Sequence, residues 1–336
     1  MLVGGLGTRL RPLTFHVPKQ MLPVVNRPMI EWSIAHIAAH GVDGVVLSLG
    51  YGADSFVEAY PDGSCAGIPL HYAVEDEPLD TAEAVRFAAL DAGINERFLV
   101  VNSDVISDMD VTGLVAFHEE RRATATIALH EVPDPSRFGV VPTDTDGRVT
   151  AFVEKPPAEE APTNRINAGV YVLEPEVIDR IEDGRPVSIE RETFPALIAD
   201  GGLFAQDDGG AYWLDTGTPE AYLRAQLDII DGRYRGEGTA DAVALDPCAT
   251  IAATATVVRS VVGPKATVEA GAHVSGSVVM AGARVGPNAK VRDSIIGPSA
   301  EVGEGASVED MSILGDNVSI AAGDSVRAAR LAREAS

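Results

Sequence analysis

The residues best suited to chemistry stand at the start of the chain, in Gly4-Gly5-Leu6-Gly7-Thr8-Arg9-Leu10-Arg11-Pro12-Leu13-Thr14. A glycine-rich turn directly after the short apolar run that ends at Val3 lets backbone amides approach a phosphate or a base closely. Arg9 lies inside the turn, and Lys19 follows in Val17-Pro18-Lys19-Gln20-Met21-Leu22-Pro23. Two cations beside clustered backbone donors suit a triphosphate. No Gly-Lys-Ser/Thr follows, so this is not a Walker loop, and its glycines do not match the dinucleotide fingerprint. A purely structural turn with two surface cations is the competing reading at this point. Asp104 is a second candidate, just beyond the apolar run Phe98-Leu99-Val100-Val101. Parallel α/β sheets bind ligands beyond the carboxyl ends of their strands, although an aspartate there also serves as a turn or helix cap.

The elements that must position these groups can be read from periodicity. Val45 to Leu49, Phe98 to Val101 and Thr124 to Leu129 are short apolar runs and predict buried strands. Met29 to His40, Thr81 to Leu90 and Asp110 to Arg121 predict amphipathic helices between them. Strand–helix alternation predicts an α/β class, a Rossmann-like domain around a mostly parallel mixed sheet over residues 1–232. The polar stretch from Gly232 to Asp241 predicts a linker. Beyond it Leu245, Ile251, Val257, Val262, Val268, Val274, Val279, Val285, Val291, Ile296, Val302 and Val308 recur in steps of five or six. Ser260-Val261-Val262, Ser277-Val278-Val279 and Ser294-Ile295-Ile296 repeat every 17 residues, and Ser312-Ile313-Leu314 comes one residue late. One apolar residue per six-residue step predicts a left-handed parallel β-helix of hexapeptide repeats over 243–320, with a C-terminal tail over 321–336. So short a solenoid is expected to stack on its own domain or on a partner copy, which predicts a homo-oligomer joined through the β-helix.

Composition narrows the function classes. Acidic residues number 50 against 26 basic ones, a formal net charge of −24. That surface repels nucleic acid and anionic lipid, so an anionic substrate needs a locally built site. No run of 18 apolar residues occurs and Met1-Leu2-Val3 is not a secretion signal; the expectation is a cytoplasmic protein with no membrane span. Cys65 and Cys248 lack metal-ligand spacing and suit a reducing compartment.

The glycine turn followed by Pro18-Lys19 resembles the signature of the sugar nucleotidyltransferase (nucleotide-sugar pyrophosphorylase) family. The likeness runs through Asn102-Ser103-Asp104-Val105, Phe138-Gly139-Val140-Val141, Val153-Glu154-Lys155-Pro156 and Ile166-Asn167-Ala168-Gly169-Val170-Tyr171. It continues through Ser188-Ile189-Glu190-Arg191-Glu192-Thr193-Phe194-Pro195 and Trp213-Leu214-Asp215-Thr216-Gly217-Thr218-Pro219. The Asn-Ser-Asp-Val form, the Ser-Ile-Glu-Arg segment and the terminal repeats look most like the mannose-1-phosphate guanylyltransferase branch. The resemblance implies transfer of a nucleotide from GTP, or another nucleoside triphosphate, to a sugar 1-phosphate, with GDP-mannose and pyrophosphate as the expected products. It implies Mg²⁺ on Asp104 and Asp215, and a catalytic set of these two with Arg9, Lys19 and Lys155. Val3, Gly4, Gly5, Gly7, Thr8, Arg9, Lys19, Glu77, Pro78, Asp80 and Thr81 are implied nucleotide contacts. Gly139, Glu154, Lys155, Asn167 and Gly169 are implied contacts to the sugar phosphate; either glycine could equally serve its strand or turn.

Two features depart from the family pattern. The base segment commonly reads Glu-Pro-Leu-Gly-Thr-Ala-Gly, and here it is Glu77-Pro78-Leu79-Asp80-Thr81-Ala82-Glu83. Asp80 as an N-cap with Glu83 three residues on predicts a capping-box start to the next helix; a carboxylate accepting from guanine is the alternative. The apolar residues before the turn are also fewer than in relatives, which predicts a short first strand. Other readings stay open: glucose 1-phosphate with UTP, dTTP or ATP; a non-catalytic nucleotide-sugar-binding regulatory subunit; and a β-helix acyltransferase using His273, which precedes the core residue Val274 and is expected to point outward.

Overall fold

The computed structural model describes residues 1–5, 7–50, 52–239 and 243–333. They form two compact units: Met1–Gly5 with Ser33–Trp213, and Leu6–Trp32 with Leu214–Ser336.

The first unit is α/β. Its main elements are β1 (Leu2–Val3), β2 (Val45–Leu49), β3 (Ile68–Val74), α1 (Asp80–Asp91), β4 (Phe98–Val101), α2 (Val111–Arg121), β5 (Ala125–Glu131), β6 (Gly139–Val140), β7 (Val153–Glu154), β8 (Arg165–Leu173) and β9 (Leu203–Asp207). β1, β2 and β3 run parallel, with Leu2 opposite Ser48 and Val45 opposite Leu70. The other part is built on β8, whose nine residues run antiparallel to β4, β5 and β6, while β9 is parallel to β5. The sheet is thus mixed. β8 is buried over almost its whole length, and Tyr171 and Leu173 join Ile127, Leu129, Phe194 and Leu197 in the core. Between Asn167 and Tyr171 its register with β5 shifts. Gly169 sits in that bulge at φ 79°, where a side chain is strained.

β1 is short, as expected. A cavity of about 750 Å³ lies beside it, lined on one side by Val45 and Val46 of β2 and on the other by Phe98, Leu99 and Val100 of β4. The Met1 ammonium donates to the Val46 carbonyl at 2.7 Å, and burial pushes it down to about 5.

The second unit joins the segment 7–32 to the α3 helix (Pro219–Ile230) and the solenoid. Gln226 on α3 accepts from the Val25 N–H at 2.6 Å and donates to the Pro23 carbonyl at 2.7 Å. Within the expected linker Tyr234 is buried edge-on to Trp32, and its hydroxyl donates to the Glu237 carbonyl, while its described neighbours are exposed or half-buried. Of the predicted linker, 240 and Asp241 lie outside the described residues.

Three parallel ladders then stack with a 17-residue step, the three faces of a β-helix of the expected kind. Val262, Val268, Val274, Val279, Val285, Val291, Ile296, Val302 and Val308 are all fully buried on its axis, as the repeat predicted, while Ile251 and Val257 of the same series are half-buried and Leu245 is exposed. The serines beside them form a second internal file. Ser277 Oγ accepts from the Ser294 N–H at 3.1 Å and donates to the Ser275 carbonyl at 2.7 Å, and Ser260 accepts from the Ser277 N–H in the same way. At this corner Arg259, Gly276 and Asp293 each take a positive φ; in the late repeat both Asp310 and Met311 do so, absorbing the extra residue as one more left-handed step. The ladders continue beyond 320 through Ser325–Arg327 and Arg330–Leu331, so the stretch expected as a tail from 321 carries strands. Residues 334–336 lie outside the described residues. His273 is exposed, as expected, beside the buried Val274.

Candidate active site

In the first unit the candidate residues Val3, Asp104, Asn167 and Gly169 lie on or beside β1, β4 and β8. The Leu2 carbonyl accepts from the Ser103 hydroxyl at 2.6 Å and the Ser103 N–H at 3.2 Å, and Leu2 bridges Asn102 in parallel. This fixes Asn102-Ser103 and places the half-buried Asp104 directly after the strand end. Val3 is buried against Leu49, and Gly4 and Gly5 are exposed beyond it, Gly5 at φ 100°.

Gly169 explains how two motifs are tied. Its carbonyl accepts from the Asn102 N–H at 2.8 Å, and a Cβ built on it would lie 2.7 Å from Asn102 Nδ2. Asn167 Oδ1 accepts from the Gly169 N–H at 2.9 Å, while its Nδ2 donates to the Tyr171 hydroxyl at 2.8 Å. Burial raises the Tyr171 phenol above its ordinary range; Glu190, Glu154 and Asp104 add to the rise, and Asn167 opposes it. Three carboxylates from separate motifs therefore act on one buried hydroxyl. Gly139 also has a packing cause: a Cβ there would meet the Phe152 ring at 2.5 Å and Glu154 Oε2 at 3.2 Å. It pairs with Glu154 across β6 and β7. Lys155 follows at φ 47°, its N–H donating to the Phe138 carbonyl, and its exposed Nζ holds Glu154 Oε1 at 2.5 Å. Surface pairs of this kind stabilise little, so this one can exchange for a ligand. The Trp213 indole N–H donates to the Ala168 carbonyl at 2.9 Å, and its ring stacks on His130 and meets Phe138 edge-on.

The base segment differs from the capping box expected of it. Asp80 is exposed at φ 61°, and its Oδ1 accepts from the adjacent Thr81 N–H at 2.7 Å, too local to cap the helix. Glu83 does not reach back to Asp80. It is 4% exposed, and its Oε1 takes Arg86 at 2.9 Å, which also pairs with Asp183. The helix start is closed instead by the Ser188-Ile189-Glu190 motif: the Ala82 N–H donates to the Val187 carbonyl, and Thr81 Oγ1 accepts from Ile189 N–H and donates to Glu190. Glu77 and Pro78 are exposed just before it.

In the second unit the glycine turn is a single 3-10 turn, Thr8–Leu10, entered through Gly7 at φ 57°. A Cβ on Gly7 would meet Thr14 Cγ2 at 3.1 Å and Lys19 Cβ at 3.2 Å, so glycine eases the close approach of this turn to Lys19. Thr14 Oγ1 donates to the Gly7 carbonyl at 2.7 Å and staples the loop. Thr8 and Arg9 are exposed and Lys19 is 9% exposed. Asp215 Oδ1 accepts from the Gly217 N–H at 2.7 Å, and a Cβ on Gly217 would meet both Arg9 Nη2 at 2.5 Å and Asp215 Oδ1 at 2.8 Å. The Arg9 guanidinium and the Asp215 carboxylate therefore flank the same glycine. Thr218 caps the α3 helix that follows, accepting from the Ala221 N–H, with Pro219 at its first position. Thr14, Tyr171 and Glu190 were visible only as members of quoted motifs; nothing in their type singled them out. Among the described residues no group of three or more His, Cys, Asp or Glu is gathered as a metal cage. No helix among them is long and apolar enough to cross a membrane.

Residues 1–232 match the family described as "Nucleotidyl transferase", and residues 239–332 match "GMPPB C-terminal domain". The chain belongs to the nucleotidyl transferase family. It is 45% identical over 234 residues to the mannose-1-phosphate guanylyltransferase of Mycobacterium tuberculosis, a match covering 69% of this chain and 64% of that protein, just under two thirds of its length. It is 41% identical over 263 residues to the mannose-1-phosphate guanyltransferase of Eremothecium gossypii, covering 75% of this chain and 72% of that protein. Among solved structures, HddC from Yersinia pseudotuberculosis complexed with GMP-PN is similar at 28% identity and TM-score 0.58, over 67% of this chain and 96% of that one.

Proposed function

We propose that this chain transfers GMP from GTP to mannose 1-phosphate, giving GDP-mannose and pyrophosphate. The observation that carries the reading is the 45% identity to a guanylyltransferase of that name, with Arg9, Lys19, Asp104, Lys155 and Asp215 in the family's motif order.

The sugar phosphate, with a second pKa near ~6, is already a dianion at neutral pH. Its oxygen can bond to the α-phosphorus of GTP while the bond from that phosphorus to the β-bridging oxygen breaks and pyrophosphate leaves; no protein base is needed. The chain's task is to align two polyanions and offset their charge. Arg9 and Lys19 grip the triphosphate and the departing pyrophosphate, Lys155 releases Glu154 to hold the sugar phosphate, and Glu154 and Asn167 bond sugar hydroxyls. Asp104 and Asp215 are the carboxylates for Mg²⁺. Carboxylates are hard oxygen donors and suit an ion that keeps water and phosphate among its ligands. When bound it neutralises phosphate charge.

Homo-oligomerisation through the β-helix and a cytoplasmic location belong to the same proposal; Val243, Leu245 and Val258 are exposed in the first coil and supply apolar surface for a partner copy. A nucleotide-sugar-binding subunit without activity is the second reading, favoured by Asp80, whose carboxylate occupies the Thr81 amide. A panel of GTP, UTP, dTTP and ATP against mannose and glucose 1-phosphates, scored by pyrophosphate release with Mg²⁺, separates these. The expected outcome is GTP with mannose 1-phosphate; release with no pair, or a clear preference for another, defeats the proposal.

A further inference from the structure

The end of the solenoid lies against the glycine turn. Within the turn, the carbonyls of Gly7, Thr8 and Leu10 accept from the N–H groups of Leu10, Arg11 and Leu13. The carbonyl of Arg9 accepts instead from Arg330 Nη1, at 3.1 Å, across 321 residues of sequence. Arg330 stands one coil beyond Ile313 on the same ladder, and its Nη2 lies 3.6 Å from Glu220 Oε1, on the helix that follows Asp215. Just after that ladder, Gly315 gives room to Pro12: a Cβ on Gly315 would come within 2.9 Å of the proline ring. The neighbouring Asp316 is raised by burial, and His16, beyond the turn, is the charge opposing the rise. Two points of the last two coils, Arg330 and Gly315, thus meet the segment 9–12.

A single 3-10 turn is short and closes few of its own bonds. Carbonyls at its end need an outside partner, and a cationic donor makes a stronger one than a neutral group. We infer that Arg330 is a positioning residue for the nucleotide site: by capping the Arg9 carbonyl it holds the glycine turn in the form that sets the Arg9 guanidinium beside Gly217 and Asp215. The β-helix then acts within the catalytic unit as well as in any contact between copies. The effect on turnover rests on the reading of Arg9 as a triphosphate ligand; the effect on the turn does not.

The test uses the full chain with Arg330→Gln, Arg330→Lys and Glu220→Gln, the last removing the ion pair while leaving the bond to Arg9. Amide hydrogen exchange at Leu10, Arg11 and Leu13 is read beside the Michaelis constants for GTP and for mannose 1-phosphate. In Arg330→Gln we expect exchange at these amides to quicken about tenfold and the Michaelis constant for GTP to rise about five- to tenfold, with that for mannose 1-phosphate unchanged. Arg330→Lys should restore most of both, and Glu220→Gln should match the parent protein. Unchanged exchange in Arg330→Gln, or equal rises in both Michaelis constants, overturns the inference. Quickened exchange in a protein that turns over no nucleotide upholds the clamp and defeats the functional reading instead.

Discussion

At Gly169 one missing side chain holds two motifs together. A methyl group there meets Asn102 and forces a positive φ on an L residue. Gly169→Ala should cost about 2–4 kcal/mol of stability, from left-handed strain and overpacking combined. Because Asn102 leads directly to Asp104, turnover should fall further than binding of the sugar phosphate does. Urea unfolding and steady-state kinetics on the same sample check this; a stability equal to the parent's would contradict the packing account. At this scale the glycine turn with Arg9 and Lys19, and Asp104 at a strand end, were legible from residue type, and the remaining motifs through the family resemblance. What was not legible was each side chain's actual partner. Asp80-x-x-Glu83 reads locally as a capping box, yet Arg86 lies one turn along and draws Glu83 away, while the Val187 carbonyl and Ile189 N–H close the helix start. A sequence pattern carries no information about a partner a hundred residues distant.

Among the elements, the solenoid was the most legible and its serines the least. Period and burial agree because each step contributes one side chain to the axis, but a serine repeating every 17 residues reads as a small turn residue. In the fold it is a buried acceptor for the next coil. Ser277→Ala leaves the Ser294 N–H unpaired in the interior and should cost about 1–3 kcal/mol. Thermal melting with no shift would contradict that role. The late repeat hid the last coil: one extra residue broke the period, so the chain beyond 320 read as a tail.

Helix α2 carries a second testable feature. His118 is fully buried, bonded to Thr126 Oγ1 at 2.8 Å and to Glu174 at 3.1 Å. Burial pushes its imidazole below the ordinary value, with Glu174 opposing. Below about pH 6.5 the unfolded chain then binds a proton that the folded chain resists. Stability should therefore fall as pH drops from 6.5 toward the folded value, with a slope of at most about 1.4 kcal/mol per pH unit. His118→Phe should remove that component from the difference between pH 7 and pH 5; an identical pH profile in the variant would contradict it.

For the whole molecule, the proposed function asks a chain of net charge −24 to bind two polyanions. The chain does so, on this account, by spending few cations in specific places: Arg9 and Lys19 at a tight glycine turn, and Lys155 on a pair that opens. The strand–helix alternation gave the α/β class, but β8, nine residues antiparallel to three neighbours, could not be foreseen from alternation, because strand direction is set by connections that periodicity does not encode. The remote cap at Arg330 was equally hidden, since Arg330 lies in the stretch expected as a tail.

The most direct test of the account is a ³¹P NMR time course of the purified chain with GTP, mannose 1-phosphate and Mg²⁺. The account predicts GDP-mannose and pyrophosphate rising together in equal amounts as both substrates decline. Unchanged spectra, or GDP and inorganic phosphate formed without a sugar nucleotide, would contradict it.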